Sequence, residues 1–116
     1  MILNPSSRLI RQGAKVNREE VILQTDDVKV RILALQPGER GPFHFHTTVT
    51  DNMFGLSGEI MVSLKNPPEY LILKPGVHCT IEPGRVHCVI NNREGETSTY
   101  LLVQGVGAYD FIKENI

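Results

Sequence analysis

The chain of 116 residues has no tryptophan, two cysteines and only 6% aromatic residues. Two cysteines are too few for the disulfide framework that stabilises small secreted domains. Cys79 and Cys88 are symmetric about Glu82-Pro83-Gly84, so a simple hairpin would set them opposite one another. A disulfide is one reading; reduced, core-packed thiols are the preferred one, because no export signal accompanies them. Charge of one sign is also lacking: 12 Lys and Arg against 13 Asp and Glu give a net charge of −1. Without a basic excess there is little to neutralise a phosphate backbone, and no nucleic-acid partner is expected. Long apolar runs are absent as well. Val28–Leu35 is interrupted by Lys29 and Arg31, and nothing approaches the roughly 20 residues of a membrane span. Met1–Pro5 has no basic stretch leading into an apolar core, so neither a signal peptide nor a membrane is expected, and the expected location is cytoplasmic.

What is present is enough for one domain. Hydrophobic residues make up 41% and charged residues 22%, a globular balance, and a chain of this length buries roughly two-thirds of its unfolded surface. No helical period is evident. Short runs such as Glu20–Thr25, Val28–Leu35, Asn52–Ser57, Ile60–Leu64 and Ser98–Val106 are bounded by Gly, Pro, Asn or Asp. About nine such strands predict an all-β sandwich or barrel. In Val28–Leu35, Val28, Val30, Ile32 and Ala34 share one face, and Lys29, Arg31, Leu33 and Leu35 the other. The tail Gly107–Ile116 adds a helical turn or a covering strand.

The chemistry centres on histidine. His44 and His46 lie two apart in a predicted strand, so both rings point to one face. Asp51 follows after a short loop, and His87 sits on a late strand that a barrel can return to the same interior. Three imidazoles and a carboxylate suit a borderline divalent metal: Fe(II), Mn(II), Ni(II), Zn(II) or Cu(II). Four ligands on an octahedral ion leave two adjacent positions open. An isolated His-x-His pair is as readily a half-exposed or core pair; the surrounding turn glycines favour ligation, because they govern how the chain swings between strands.

Gly38, His44, His46 and Gly58 fit the pattern G-x5-H-x-H-x3,4-E-x6-G, and Gly76, Gly84, His87 and Asn91 fit G-x5-P-x-G-x2-H-x3-N. In both motifs the chain resembles the cupin superfamily. The resemblance implies a single-domain cupin jelly-roll β-barrel over residues 21–116, with His44, His46, Asp51 and His87 as metal ligands. Two positions depart from the pattern: Asp51 stands for the family's glutamate and Glu82 for its first proline. Asp51, shorter by one methylene, ligates directly, ligates through water, or orients an imidazole; unligated, it is a candidate catalytic base. A homodimer is implied too, with residues 1–20 as an N-terminal extension that pairs with a partner subunit or is disordered.

Around the metal, Met53 and Gly55 share the face of Asp51, with Gly55 opening space. Tyr100, Leu102 and Gln104 share a face of the last long strand. Met53, Tyr100, Gln104 and the loop residue Arg40 are the candidate substrate-pocket residues, each with a plain packing or surface alternative. His78 is expected to face away from the metal, as are Phe43 and Phe45. By resemblance the chain is a metal-dependent isomerase, epimerase or lyase acting on a small sugar, uronate or keto acid. An Fe(II) dioxygenase and a non-catalytic module binding a metal or small ligand are the alternatives.

Overall fold

The computed structural model describes residues 18–114. Most of the expected extension over residues 1–20, and with it the apolar Leu3, Leu9 and Ile10, lies outside the described residues.

Ten strands and no helix occur among the described residues: β1 (Glu19–Gln24), β2 (Val28–Leu35), β3 (His44–Phe45), β4 (Thr50–Ser57), β5 (Ile60–Leu64), β6 (Glu69–Leu73), β7 (His78–Ile81), β8 (His87–Asn91), β9 (Ser98–Gly105) and β10 (Ile112–Lys113). Nine coincide with the runs read from the sequence; β10 is the covering strand of the tail. They form two five-stranded antiparallel sheets, β1-β2-β9-β4-β7 and β10-β3-β8-β5-β6. The architecture is the expected all-β jelly roll.

Alternation explains which side chains fill it. Along β9, residues 98, 100, 102 and 104 are buried and their neighbours half-buried, as a strand with one face on a core requires. On β4 the buried set is Asp51, Met53 and Gly55. On β2, Leu33 and Leu35 pack against the core of Met53, Ile60, Val62, Leu73, Ile81 and Leu102. Arg31 shares their face and is drawn inward with them.

Two expectations are corrected. Glu82-Pro83-Gly84 does not close a hairpin, because β7 pairs with β4 in one sheet and β8 with β3 and β5 in the other. The turn carries the chain between sheets, and its Gly84 N–H donates to the carbonyl of His46 at 2.7 Å. Cys79 and Cys88 are therefore not opposed; both are free, buried thiols. Gly55 does not open space beside the metal position. A Cβ there would lie 2.3 Å from the carbonyl oxygen of Lys74, so its bare Cα admits a passing backbone.

Candidate metal centre

The short pairing of β3 with β8 places His44 directly opposite His87. His46, two residues on, points to the same side. Their ring centroids are 4.4 Å (His44–His87), 5.0 Å (His44–His46) and 5.5 Å (His46–His87) apart. One ring nitrogen from each lies within 4.8 Å of the others, and all three side chains are buried.

The hydrogen bonds fix which nitrogens converge. His44 Nδ1 donates to the Pro42 carbonyl at 2.9 Å, His46 Nδ1 to that of Asp110 at 2.6 Å, and His87 Nδ1 to that of Arg85 at 2.8 Å. A neutral imidazole with Nδ1–H bound this way keeps its lone pair on Nε2. Each ring thus has the backbone partner that orients a metal-bound histidine.

Asp51 enters from the opposite sheet, on β4. Its Oδ2 lies 3.2 Å from His46 Nε2 and 3.1 Å from His87 Nε2, and its Oδ1 accepts from Gln104 Nε2 at 2.9 Å. These are hydrogen-bond distances; the atoms close enough together to share one ion are those of His44, His46 and His87, with Asp51 beside two of the three rings. Burial would raise the Asp51 pKa, but the hydrogen bonds to His46 and His87 outweigh it and hold the carboxyl well below the usual carboxylate range. For His46, burial pulls downward while the bond to Asp51 and the Asp110 carbonyl pull upward; the net direction is up. Burial pushes His44 down to about 4, against the raising effect of the Pro42 carbonyl. The cluster is a cage with one strong anion and three oriented imidazoles, in which a divalent cation can replace a proton.

A cavity of about 110 Å³ opens onto His44, His46 and Asp51, with Met53, Tyr100 and Gln104 in its walls. Tyr100 is buried, and burial pushes its phenol pKa up. Arg40 lies elsewhere: it is exposed, with Nη2 4.0 Å from the Sγ of Cys88, which alternates with His87 on β8. His78 faces outward, stacked on Phe54 with centroids 4.4 Å apart, and bonds Asn52. Phe43 lies under the Lys65 ammonium at 4.3 Å.

Six lining residues are not among the candidates read from sequence: the aliphatic Leu33, Val89 and Leu102, and Arg31, Tyr109 and Phe111, which bring a charge and two aromatic rings. Phe111 stacks on His44 at 4.1 Å between centroids. Arg31 had a signal, the shared face with Leu33 and Leu35. The alternation of Tyr109 and Phe111 in the tail was a weaker one. A wider groove of about 370 Å³, walled by Gln24, Lys29, Gln104 and Tyr109, contains none of the three histidines.

Residues 31–104 match the family model described as "Cupin domain". Among curated proteins, none matches the chain. Among solved structures, an uncharacterized conserved protein with a double-stranded β-helix domain from Klebsiella pneumoniae aligns at TM-score 0.71 and 26% identity, covering 88% of this chain and 90% of that one. A cupin 2 domain-containing protein from Halorhodospira halophila aligns at TM-score 0.73 and 16% identity, over 90% and 74%. Recombinant oxalate oxidase in complex with glycolate aligns at 0.69 and 16%, over 86% of this chain but only 57% of that one. The last two likenesses show the fold alone.

Proposed function

This chain belongs to the cupin family, over residues 31–104, and from that premise we propose that it is a metal-dependent enzyme acting on a small oxygen-rich substrate. The reaction class is isomerase, epimerase or lyase, on a sugar, uronate or keto acid. The observation that carries the reading is the triad itself: three buried rings, each with Nδ1–H tied to a backbone carbonyl, converge their remaining nitrogens beside a cavity.

His44, His46 and His87 would hold a divalent Fe, Mn, Ni, Zn or Cu ion, with Asp51 as fourth ligand. When bound, the ion supplies Lewis acidity toward a substrate oxygen. Gln104 fixes Asp51 by donating to Oδ1. Met53 and Tyr100 shape the space in which a substrate is oriented, and Phe111 and Tyr109 limit water entry from the tail side. The assembly is proposed as a homodimer and the location as cytoplasmic; no helix among the described residues is long and apolar enough to cross a membrane.

One observation favours a second reading, a non-catalytic binding module. Asp51 is engaged by His46, His87 and Gln104 and sits well below the ordinary carboxylate range. A carboxylate so stabilised is a weak general base, which supports a ligand role for Asp51 and binding without turnover.

Metal analysis of protein purified without an affinity tag tests the proposal. The expected result is about one transition-metal ion per chain, lost in His44→Ala. Unchanged metal content in that variant would remove His44 from the site.

A further inference from the structure

Among the described residues, Arg31 is the one arginine or lysine in the wall of the histidine cavity. Its side chain is only 10% exposed, a costly place for a cation unless it is well paired. The pairing is incomplete. Of the five N–H donors of a guanidinium, one from Nη1 goes to Glu19 Oε2 at 3.3 Å and one from Nη2 to Gln104 Oε1. That leaves three, and the buried Nε has no hydrogen-bond partner among the described residues, while the Tyr109 ring centroid lies 5.6 Å from Cζ. The Glu19 carboxylate is 43% exposed, so water weakens its hold on the charge.

The position of Arg31 relative to the metal cage is set by a single side chain. The Gln104 carboxamide accepts from Arg31 through Oε1 and donates to Asp51 through Nε2. Guanidinium and cage thus stand one amide apart along the same wall. The cavity of about 110 Å³ has room for roughly four waters' worth of ligand.

We propose that Arg31 is an anion-binding residue, and that the cavity takes a short-chain carboxylic acid carrying a second oxygen a few bonds away, such as a 2-oxo or 2-hydroxy acid. The carboxylate meets the unused N–H groups on Nη1 and Nη2 of Arg31 while the second oxygen faces the histidines. A planar fork of donors matches a carboxylate in a way no neutral sugar hydroxyl does. The assignment rests on the metal-site reading and narrows its substrate class from sugars and acids to small acids.

The test is calorimetric titration of Co(II)-loaded protein with pyruvate, with pyruvamide as the neutral isostere and with inorganic phosphate. Wild type is expected to bind pyruvate at least about tenfold more tightly than pyruvamide or phosphate, a 1.4 kcal/mol difference. Arg31→Gln should lose that preference while its cobalt spectrum without ligand stays unchanged. Arg31→Lys, which keeps the charge but not the fork, should fall between, and serves if the glutamine variant does not fold. Equal affinity for pyruvate in wild type and variant, no pyruvate binding to the loaded wild type, or tighter phosphate than pyruvate binding would each overturn the proposal. A variant whose cobalt spectrum shifts before any ligand is added, with pyruvate and pyruvamide weakened alike, would also overturn it by making Arg31 a prop for Gln104 and Asp51. If wild type shows no cobalt absorption, the metal reading fails by itself. The pyruvate comparison on ion-free protein then decides Arg31: a loss of at least about tenfold in Arg31→Gln supports it, and equality rejects it.

Discussion

Asn91 is only 3% exposed, and its carboxamide is engaged on both sides. Nδ2 donates toward the carbonyls of Leu35, Gln36 and Glu96 at 3.1, 3.0 and 2.9 Å, while Oδ1 accepts from Arg93 N–H at 2.9 Å and Ser98 Oγ at 2.7 Å. The residue therefore ties the end of β2 to the loop between β8 and β9. Asn91→Asp keeps the shape but points a carboxylate at three carbonyl oxygens. The expected loss is about 3 kcal/mol, since several buried polar groups lose partners or meet like charge, read from urea unfolding midpoints at neutral pH. A loss within about 0.5 kcal/mol, the range of an ordinary surface change, would deny the residue this role. Its motif position was legible in the sequence, but its task was not: the partners are main-chain atoms brought together only by folding. The histidines were legible for the opposite reason, because period-two alternation and matching spacing fix their direction. For Arg31 the sequence narrowed the choice to one of two faces, and only the packing of Leu33 and Leu35 decides which face is inside.

At the scale of elements, strand existence was largely readable and strand partnership was not. Pro and Gly mark where the chain turns without saying which sheet it joins next, so Glu82-Pro83-Gly84 read as a hairpin between strands that belong to different sheets. The same limit applies to the tail, where two residues of β10 gain their place by pairing Ile112 with Phe45 and Lys113 with His44. Edge strand β1 is exposed along its whole length, with Val21, Ile22 and Leu23 at 49%, 52% and 53% exposure. Three successive apolar side chains and a strand edge that is unpaired among the described residues are an association hazard that proteins ordinarily cover. A second copy is the proposed cover. Sedimentation at micromolar concentration should give twice the single-chain mass, and Ile22→Glu with Leu23→Lys should give the single-chain mass. A wild-type chain that sediments alone would remove the homodimer.

For the whole molecule, the proposed metal cage would tie the sheets together: His44 and His87 come from one and Asp51 from the other. An ion held by both binds the folded state alone, so it should raise global stability in a single transition, by about 2.7 kcal/mol when free ion is a hundredfold above its Kd. The sign of the pH dependence follows from the imidazoles. His44, pushed down to about 4 by burial, is already neutral at pH 6–8 and contributes no proton competition there. His46 is raised above its ordinary 6.5, burial opposing and Asp51 and Asp110 prevailing. In the metal-free protein its proton adds stability that is present below the unfolded pKa and fades as pH rises through the folded one. The ion requires the neutral ring, so it must expel that proton, and its advantage shrinks as pH falls. Thermal or urea unfolding with Co(II) and with chelator should therefore show a larger metal increment at pH 8 than at pH 6. Below the raised pKa of His46 the increment should fall by up to about 1.4 kcal/mol per pH unit, one proton's worth. Asp51→Asn removes the anion that holds the proton and should flatten this slope as well as weaken the metal increment. An increment equal at both pH values would mean that His46 gives up no proton to the ion, and would remove it from the ligand set.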